Sequence, residues 1–520
     1  MGGVPNVKKW PLFGNASQNI KTRQLIETNR SDTPLTIEVL KQRFQYCDDI
    51  VFQPLNRGYG KGTLVFLKEI ASNEALSEVQ GVLFELLSES AAKPDPTHLL
   101  NVLSTRFLLG KVADVKDART VISGILSGCA ILLLEECHSV FMFPTANSNG
   151  RSIAEPNTDQ VVRGPREGFV ERIDTNILLL RRRIQSSSLK VQYLTVGKQS
   201  HTRLAIVYVE DIAEESIVEE VRRRLTDINI DAILESNYIE ELIADGPYSP
   251  FPTIYNSERP DRVCGDLLEG KVAIVTDGTP FVLTVPALFV EFFQSNEDYY
   301  DSFYTASIIR LIRVFGAIIA MLLPAFYVAV TTIHQDVMQT PLLIRVAGSR
   351  EDLPFPVMIE ALFMQLTFEV VREAGLRMPK AVGNAVTIVG TLVIGQAAVQ
   401  AGLVGALMVI VVALTALTTF ILPNYSFMQV FRYGNFPMLI LAGLFGLMGI
   451  LVGLMLLLAH LCSLRSFGVP YLSPVTPSAK EGWKDVLIRA PWWSMKKRNP
   501  VLADNNLQRS NNEPPLPPEP

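Results

Sequence analysis

Hydrophobic positions divide the chain into two regimes. From Thr36 to about residue 300, short apolar runs alternate with amphipathic stretches, the pattern of strands and helices in an α/β protein. From Val314 to Leu461 the runs are long and nearly free of charge. In the first regime, TIEVLKQRF, ALSEVQGVLFELLSE and ARTVISGILSG carry helical spacing. DIVFQPL, GTLVFLKEI, CAILLLEE and HSVFMFP read as strands. A polar linker, TANSNGRSIAEPNTDQ, follows. Beyond it, GPREGFVERIDTNILLLRRRI predicts one long helix with Phe169, Ile173, Ile177, Leu178 and Leu180 turned inward. LKVQYLTVG and RLAIVYVEDI are strands, SIVEEVRRRLTDI a helix, and KVAIVTDG and PFVLTVP strands again.

The first regime repeats itself. GTLVFLKEI aligns with TRLAIVYVEDI, and GILSGCAILLLEECHSVFMFP with DLLEGKVAIVTDGTPFVLTVP. Self-similarity at a fixed offset is the mark of duplication. The expectation is two tandem α/β lobes, 31–145 and 158–300, after a flexible arm over 1–30. GYGKGT at 58–63 lacks the spacing of a phosphate loop and joins two strands, so it reads as a hairpin turn. The basic clusters Arg181–Arg183 and Arg222–Arg224 lie on helices. They are either solvated faces or contacts to a subunit or to anionic lipid.

The second regime predicts an α-helical, multi-span membrane domain over 305–465. Arg310 and Arg313 precede VFGAIIAMLLPAFYVAV, where Pro324 should kink the helix. The run 384–423 is too long for one span and divides near Ala401-Gly402. The last span is expected to be 436–461, in which Gly446, Gly449 and Gly453 make a smooth packing face. Between these runs, PFPVMIEALFMQLTFEVVREAGLRMP (354–379) is apolar yet holds Glu360, Gln365, Glu369, Arg372 and Glu373. At about 100° per residue the last four share one broad face, and Glu360 lies nearly opposite. A helix lying on the lipid surface would segregate its polar residues to one side. Polarity on two sides favours a helix packed inside an assembly and lining a watery path, with these five residues as pore or gating groups. The count is about four full spans plus this PFP helix, re-entrant, interfacial or partly inserted; a fifth span is the alternative.

Composition narrows the chemistry. A net charge of −5 argues against nucleic acid as the main partner. The five cysteines form no CxxC or metal-ligand spacing, and the five histidines form no HExxH, so neither metal, cofactor nor catalytic residue is expected. MGG at the start lacks the context of a myristoylation site, and no signal-peptide core follows it. After Leu464 the chain has eight Lys/Arg against five Asp/Glu and ends in NNEPPLPPEP. The positive-inside bias therefore predicts a cytoplasmic basic, Pro-rich tail over 466–520, on the same side as the N-terminal lobes.

The residues also carry a family likeness. VVRGPREGFVE (161–171), TNILLLRRR (175–183), TPFVLTVP (279–286), EDYY (297–300) and RLIR (310–313) resemble the A subunit of GerA-family nutrient germinant receptors. So do LLPAFYVAVTTIH (322–334), LPFPVMIEALFMQLTFEVVREAGLRMP (353–379), VIGQAAVQAGLV (393–404) and RSFGVPYLSP (465–474). Gln365 stands where the family often has a second glutamate, and Gly405-Ala406 where Ser-Pro is common. The resemblance implies a spore inner-membrane protein working with a transporter-like B subunit, a lipoprotein C subunit and a clustering lipoprotein. It implies a homo-oligomer forming a nutrient-gated cation channel. The alternative from another class is a stand-alone secondary transporter, against which stands the lack of a repeat within the membrane half.

Overall fold

The computed structural model describes residues 36–55, 62–89, 113–114, 117–134, 139–146, 155–156, 158–351, 353–379, 393–478, 481–503 and 506–514. The arm over 1–30, most of the GYGKGT turn and most of the 145–160 linker lie outside them. The chain divides into two compact units, Met1–Gln45 with Asp49–Ser148, and Tyr46–Asp48 with Asn149–Pro520.

In the first unit helix α1 (Ile37–Arg43) starts at Thr36, whose hydroxyl accepts from the Val39 amide. Strands β1 (Ile50–Leu55), β2 (Gly62–Leu67), β3 (Ala113–Asp114), β4 (Cys129–Leu134) and β5 (Ser139–Pro144) pair antiparallel in the order β1-β2-β4-β5-β3. Helix α2 (Asn73–Glu89) lays Leu76, Val79 and Leu83 on Leu64, Phe66, Leu132 and Phe141. Helix α3 (Ala118–Leu126) opens at Asp117, whose carboxylate takes the Arg119 and Thr120 amides.

The second unit repeats this sheet strand for strand. Strands β6 (Leu189–Val196), β7 (Thr202–Val209), β8 (Tyr255–Ser257), β9 (Val272–Thr276) and β10 (Val282–Val285) run in the order β6-β7-β9-β10-β8. Its helices are α4 (Ile173–Arg183), α5 (Glu215–Thr226), α6 (Ser236–Ile243) and α7 (Pro260–Leu268). Helices α3 and α7 are each nine residues long. Each is followed by a glycine at positive φ, Gly128 at +91° and Gly270 at +99°, which turns the chain into the next strand. Strand β7 is apolar almost throughout because helices cover both of its faces. Leu204, Ile206 and Tyr208 meet Val218, Val221 and Leu225 of α5, while Ala205, Val207 and Val209 meet Ile177 and Leu180 of α4.

Helix α4 begins at Ile173, nine residues after Gly164, where the long helix read from the sequence starts. The buried Asn176 side chain accepts from the Val170 amide at 2.8 Å and donates to the Val170 carbonyl at 2.6 Å. That pairing holds the preceding segment folded back, and Phe169 reaches the core from it. The basic clusters are not simple wet faces: some of their arginines turn inward. Arg181 is 1% exposed and donates to the Leu189 carbonyl at 2.9 Å. Arg224 bridges Glu220 and Asp245 and stacks on Phe467. The hydrogen bond from Arg223 brings Glu220 down to about 2.

From Phe303 the second unit becomes a helix bundle. After the short α8 (Glu297–Tyr300) come α9 (Phe303–Thr332), α10 (Thr340–Gly348), α11 (Val357–Arg377), α12 (Ala406–Thr419), α13 (Tyr425–Phe445) and α14 (Leu447–Ser463). Among the described residues only α9 is long and apolar enough to cross a membrane; α12 and α14 are shorter apolar helices. At 30 residues α9 is about 45 Å long. Helices α9 and α13 run away from the second lobe: Arg310 binds Asp298, and Asn424, the α13 cap, lies 3.4 Å from Asn256. Helices α11, α12 and α14 return towards it. Met358, in the first turn of α11, packs on Gly443 near the end of α13, and His460 meets Ser249 at 2.9 Å.

Two further expectations change. Arg310 and Arg313 do not flank the first apolar helix; they lie within it and are buried, because α9 starts at Phe303. The expected division near Ala401-Gly402 is present, with Gly402 at φ +64°. The run 436–461 is not one helix. It breaks at Gly446, φ +64° and ψ −141°, a conformation essentially confined to glycine. Helices α13 and α14 fold back on each other there, so the glycine face closes within this chain: a Cβ on Gly449 would stand 2.0 Å from the Leu441 carbonyl oxygen. After Leu464 the basic, Pro-rich tail is folded as far as it is described. β11 (Arg465–Ser466) pairs with β12 (Val469–Pro470), and Leu502 and Ala503 lie in the second lobe's cores.

Because backbone blocks the space beside Gly449, Gly449→Ala should destabilise the detergent-solubilised chain by about 1–3 kcal/mol. Thermal unfolding measures it, and an unchanged midpoint would show that α13 and α14 are not in close contact.

Candidate functional site

Helix α11 carries charged side chains into the bundle interior at two levels. At the outer level Glu360, 1% exposed, accepts from the Arg350 guanidinium at 2.8 Å and from the Gly405 amide at 2.6 Å. Gly405 caps the start of α12, so the carboxylate sits where a helix N-terminus favours negative charge. A Cβ on Gly405 would come within 3.3 Å of the same carboxylate oxygen. Glu360 is thus an intrachain fastener of α11, α12 and the segment after α10.

The second level lies two turns further along α11. Gln365, Glu369 and Arg372 come together there, as their shared face predicts. They meet two residues of α13, Arg432 and Asn435. Glu369 stands 3.2 Å from Arg432 and 3.4 Å from Arg372. A cavity of about 20 Å³, room for roughly one water, lies among Gln365, Glu369, Thr415, Thr419, Arg432 and Asn435. Gln365 Oε1, Asn435 Oδ1 and Nε and Nη1 of both arginines have no hydrogen-bond partner within the described residues. Two guanidiniums therefore share one carboxylate, and the level carries a net positive charge. Glu373 stands apart at the surface, paired with Arg377 at 2.6 Å.

Asn435 ties this level to a defect in α9. Pro324 has no amide hydrogen, which leaves the Ala320 carbonyl, four residues back, without its helical donor. The Asn435 side chain donates to that carbonyl at 3.1 Å. Arg432 and Asn435 were missed from sequence because the apolar run begins only at Phe436. The signal was Asn424, which accepts from the Phe427 amide at 3.0 Å and starts α13 eleven residues earlier than Asn435.

A third cluster fixes the base of the bundle. Asp298, 2% exposed, receives Arg310 Nε at 3.2 Å and Arg313 Nη1 at 2.7 Å. Arg310 also reaches the Asp485 carboxylate at 2.9 Å and its carbonyl at 2.7 Å. Gln294 and Tyr299 donate to Asp485 as well, each at 2.7 Å. Helix α9, the segment after the second lobe and the tail are joined at this point.

Against known proteins, residues 38–501 match the family model described as Bacillus/Clostridium GerA spore germination protein. Spore germination protein KA of Bacillus subtilis (strain 168) is 42% identical over 455 residues, covering 87% of this chain and 83% of the relative. Spore germination protein GerLA of Bacillus cereus is 41% identical, covering 78% of this chain and 82% of the relative. An uncharacterized membrane protein of B. subtilis, YfkQ, is 39% identical over 94% of this chain and 96% of its own length. The crystal structure of the N-terminal domain of the A subunit of the Bacillus megaterium spore germinant receptor GerK3 matches with 30% identity and a TM-score of 0.38, covering 48% of this chain and 93% of that chain.

Removing Glu369 leaves two buried guanidiniums uncompensated. Glu369→Gln should therefore cost about 3–5 kcal/mol, and adding Arg432→Met should restore part of it. Thermal unfolding of the two single variants and the double variant gives the coupling. Additive losses would show that the two residues do not share a charge balance.

Proposed function

Because this chain belongs to the GerA family of spore germination proteins, we propose that it is the A subunit of a spore nutrient germinant receptor. In this reading the helix bundle sits in the spore inner membrane, with the second lobe and the tail together on the cytoplasmic side. Lipid contact is supported by large apolar side chains on the bundle's outer face, such as Phe315, Leu417 and Leu456, exposed by 62%, 66% and 65%. A common side for lobe and tail is supported by the Asp298–Arg310–Asp485 junction. The A subunit works beside a transporter-like B subunit and a lipoprotein C subunit, and copies of it assemble into a nutrient-gated cation channel.

The observation that carries the mechanism is the net positive level formed by Gln365, Glu369, Arg372, Arg432 and Asn435 inside an apolar bundle. Ionisable groups in such a setting mark ion pathways or their gates. With Glu369 held by two arginines the level repels cations, which is the electrostatics of a closed gate. Opening requires Arg432 and Arg372 to separate from Glu369, which leaves a carboxylate free to attract cations. Glu360 and Gly449 hold the helices between which that movement takes place.

Arg432→Gln takes away one of the two cations. Spores in which this chain is the sole A-type subunit and carries Arg432→Gln should release monovalent cations at several-fold lower nutrient doses than wild type. Ion release is followed beside the amount of intact protein. Unchanged dose dependence at normal protein levels would remove this level from the gate, and a normal nutrient response in spores lacking the chain would overturn the receptor role itself.

A further inference from the structure

A second cavity, of about 450 Å³, opens outside the bundle, between helix α7, the segment 288–300 and the folded tail. That is the size of pockets that enclose small metabolites. The carboxylates around it already have cations: Asp266 and Glu291 share Lys271 at 3.2 Å and 2.7 Å, Asp261 holds Arg259 at 2.8 Å, and Glu269 holds Arg509 at 2.8 Å. Arg262 differs. It lines the cavity, is 7% exposed, and its Nε has no hydrogen-bond partner within the described residues. Its nearest carboxylate is Asp266 at 3.6 Å, too long for a hydrogen bond, and its guanidinium lies 4.7 Å over the Tyr255 ring. A buried guanidinium without an acceptor is costly to leave so.

We propose that this cavity binds a small organic anion whose carboxylate or phosphate is received by Arg262. The guanidinium fork presents paired donors matched to such groups. Tyr299 and Trp492 also line the cavity, and Arg509, another lining residue, lies 4.9 Å over the Trp492 ring. Asp485 stands in the wall as well, and with Asp298 it is one of the two carboxylates that hold Arg310 of α9. An occupant therefore touches the junction at which the bundle is fastened. The site is separate from the charged level on α11 and stands whether or not that level gates ions.

Gly265 supplies the decisive variant. It lines the cavity on α7, and a Cβ built there meets nothing within 4 Å. Gly265→Leu starts a branched side chain from that open space and replaces glycine inside a helix with a better helix former. The full chain in detergent is titrated with inorganic phosphate, benzoate and phenyl phosphate, with choline and glucose as controls, reading the unfolding midpoint and tryptophan fluorescence. At least one of the anions should raise the midpoint saturably while neither control does. Arg262→Gln should weaken that binding by roughly tenfold or more. Gly265→Leu should abolish it with an unliganded midpoint at or above that of wild type. The absence of a saturable effect from all three anions would overturn the proposal. So would undiminished binding to a folded Gly265→Leu chain, which decides the matter even if Arg262→Gln fails to fold.

Discussion

Two arginines in the first three turns of a long apolar helix set the terms for the rest of the second unit. Arg310 and Arg313 are 0% and 6% exposed, and neither can shed its charge. A guanidinium taken out of water must be paired and hydrogen-bonded, or the fold is lost. Asp298 serves both. One carboxylate cannot satisfy two guanidiniums, so the chain brings in Asp485 from the tail and the carbonyls of Phe293, Asp485 and Val486. The start of the bundle, the end of the second lobe and a segment nearly two hundred residues later are thus compelled to meet. This is why the tail is folded there, and why the two ends of the bundle return to one side.

The same economy recurs inside the bundle. Polar groups there are answered by other helices: the carbonyl freed by Pro324 by Asn435, and Glu360 by the amide that begins α12. Around Glu369 the charges do not cancel, and several polar atoms gather there without partners among the described residues. An uncompensated charge in a packed interior is costly, so this level is the one in the bundle most sensitive to loss of its carboxylate. Glycines set the geometry around it. Gly446 reverses the chain and Gly449 lets α14 lie against α13, so the helix that carries Arg432 and Asn435 is braced from behind.

Much of this was legible in the residues. The repeated apolar runs around GTLVFLKEI and RLAIVYVEDI foretold two sheets, because strands covered on both faces are apolar throughout. Helical spacing put Gln365, Glu369 and Arg372 on one face, but with Glu373 as a fourth member, which the structure leaves at the surface. The failures share a cause, which is that periodicity is blind to side chains acting on distant backbone. The spacing of Phe169, Ile173 and Ile177 continues through a segment that Asn176 holds in another conformation. The run after Phe436 hid both the polar half of α13 and the reversal at Gly446. The arginines that looked like a membrane flank are core residues, and nothing near them in sequence names Asp485 as a partner.

The central claim is that the Asp298 junction fastens the bundle to the lobe and the tail. Hydrogen exchange on the full chain in detergent, comparing wild type with Asp298→Asn, tests it most directly. The account predicts exchange at least about tenfold faster in both 303–316 and 481–490, with the strands of the second lobe little changed, because the substitution leaves two buried guanidiniums facing a neutral amide. Unchanged protection of 481–490 in a folded Asp298→Asn chain would contradict it.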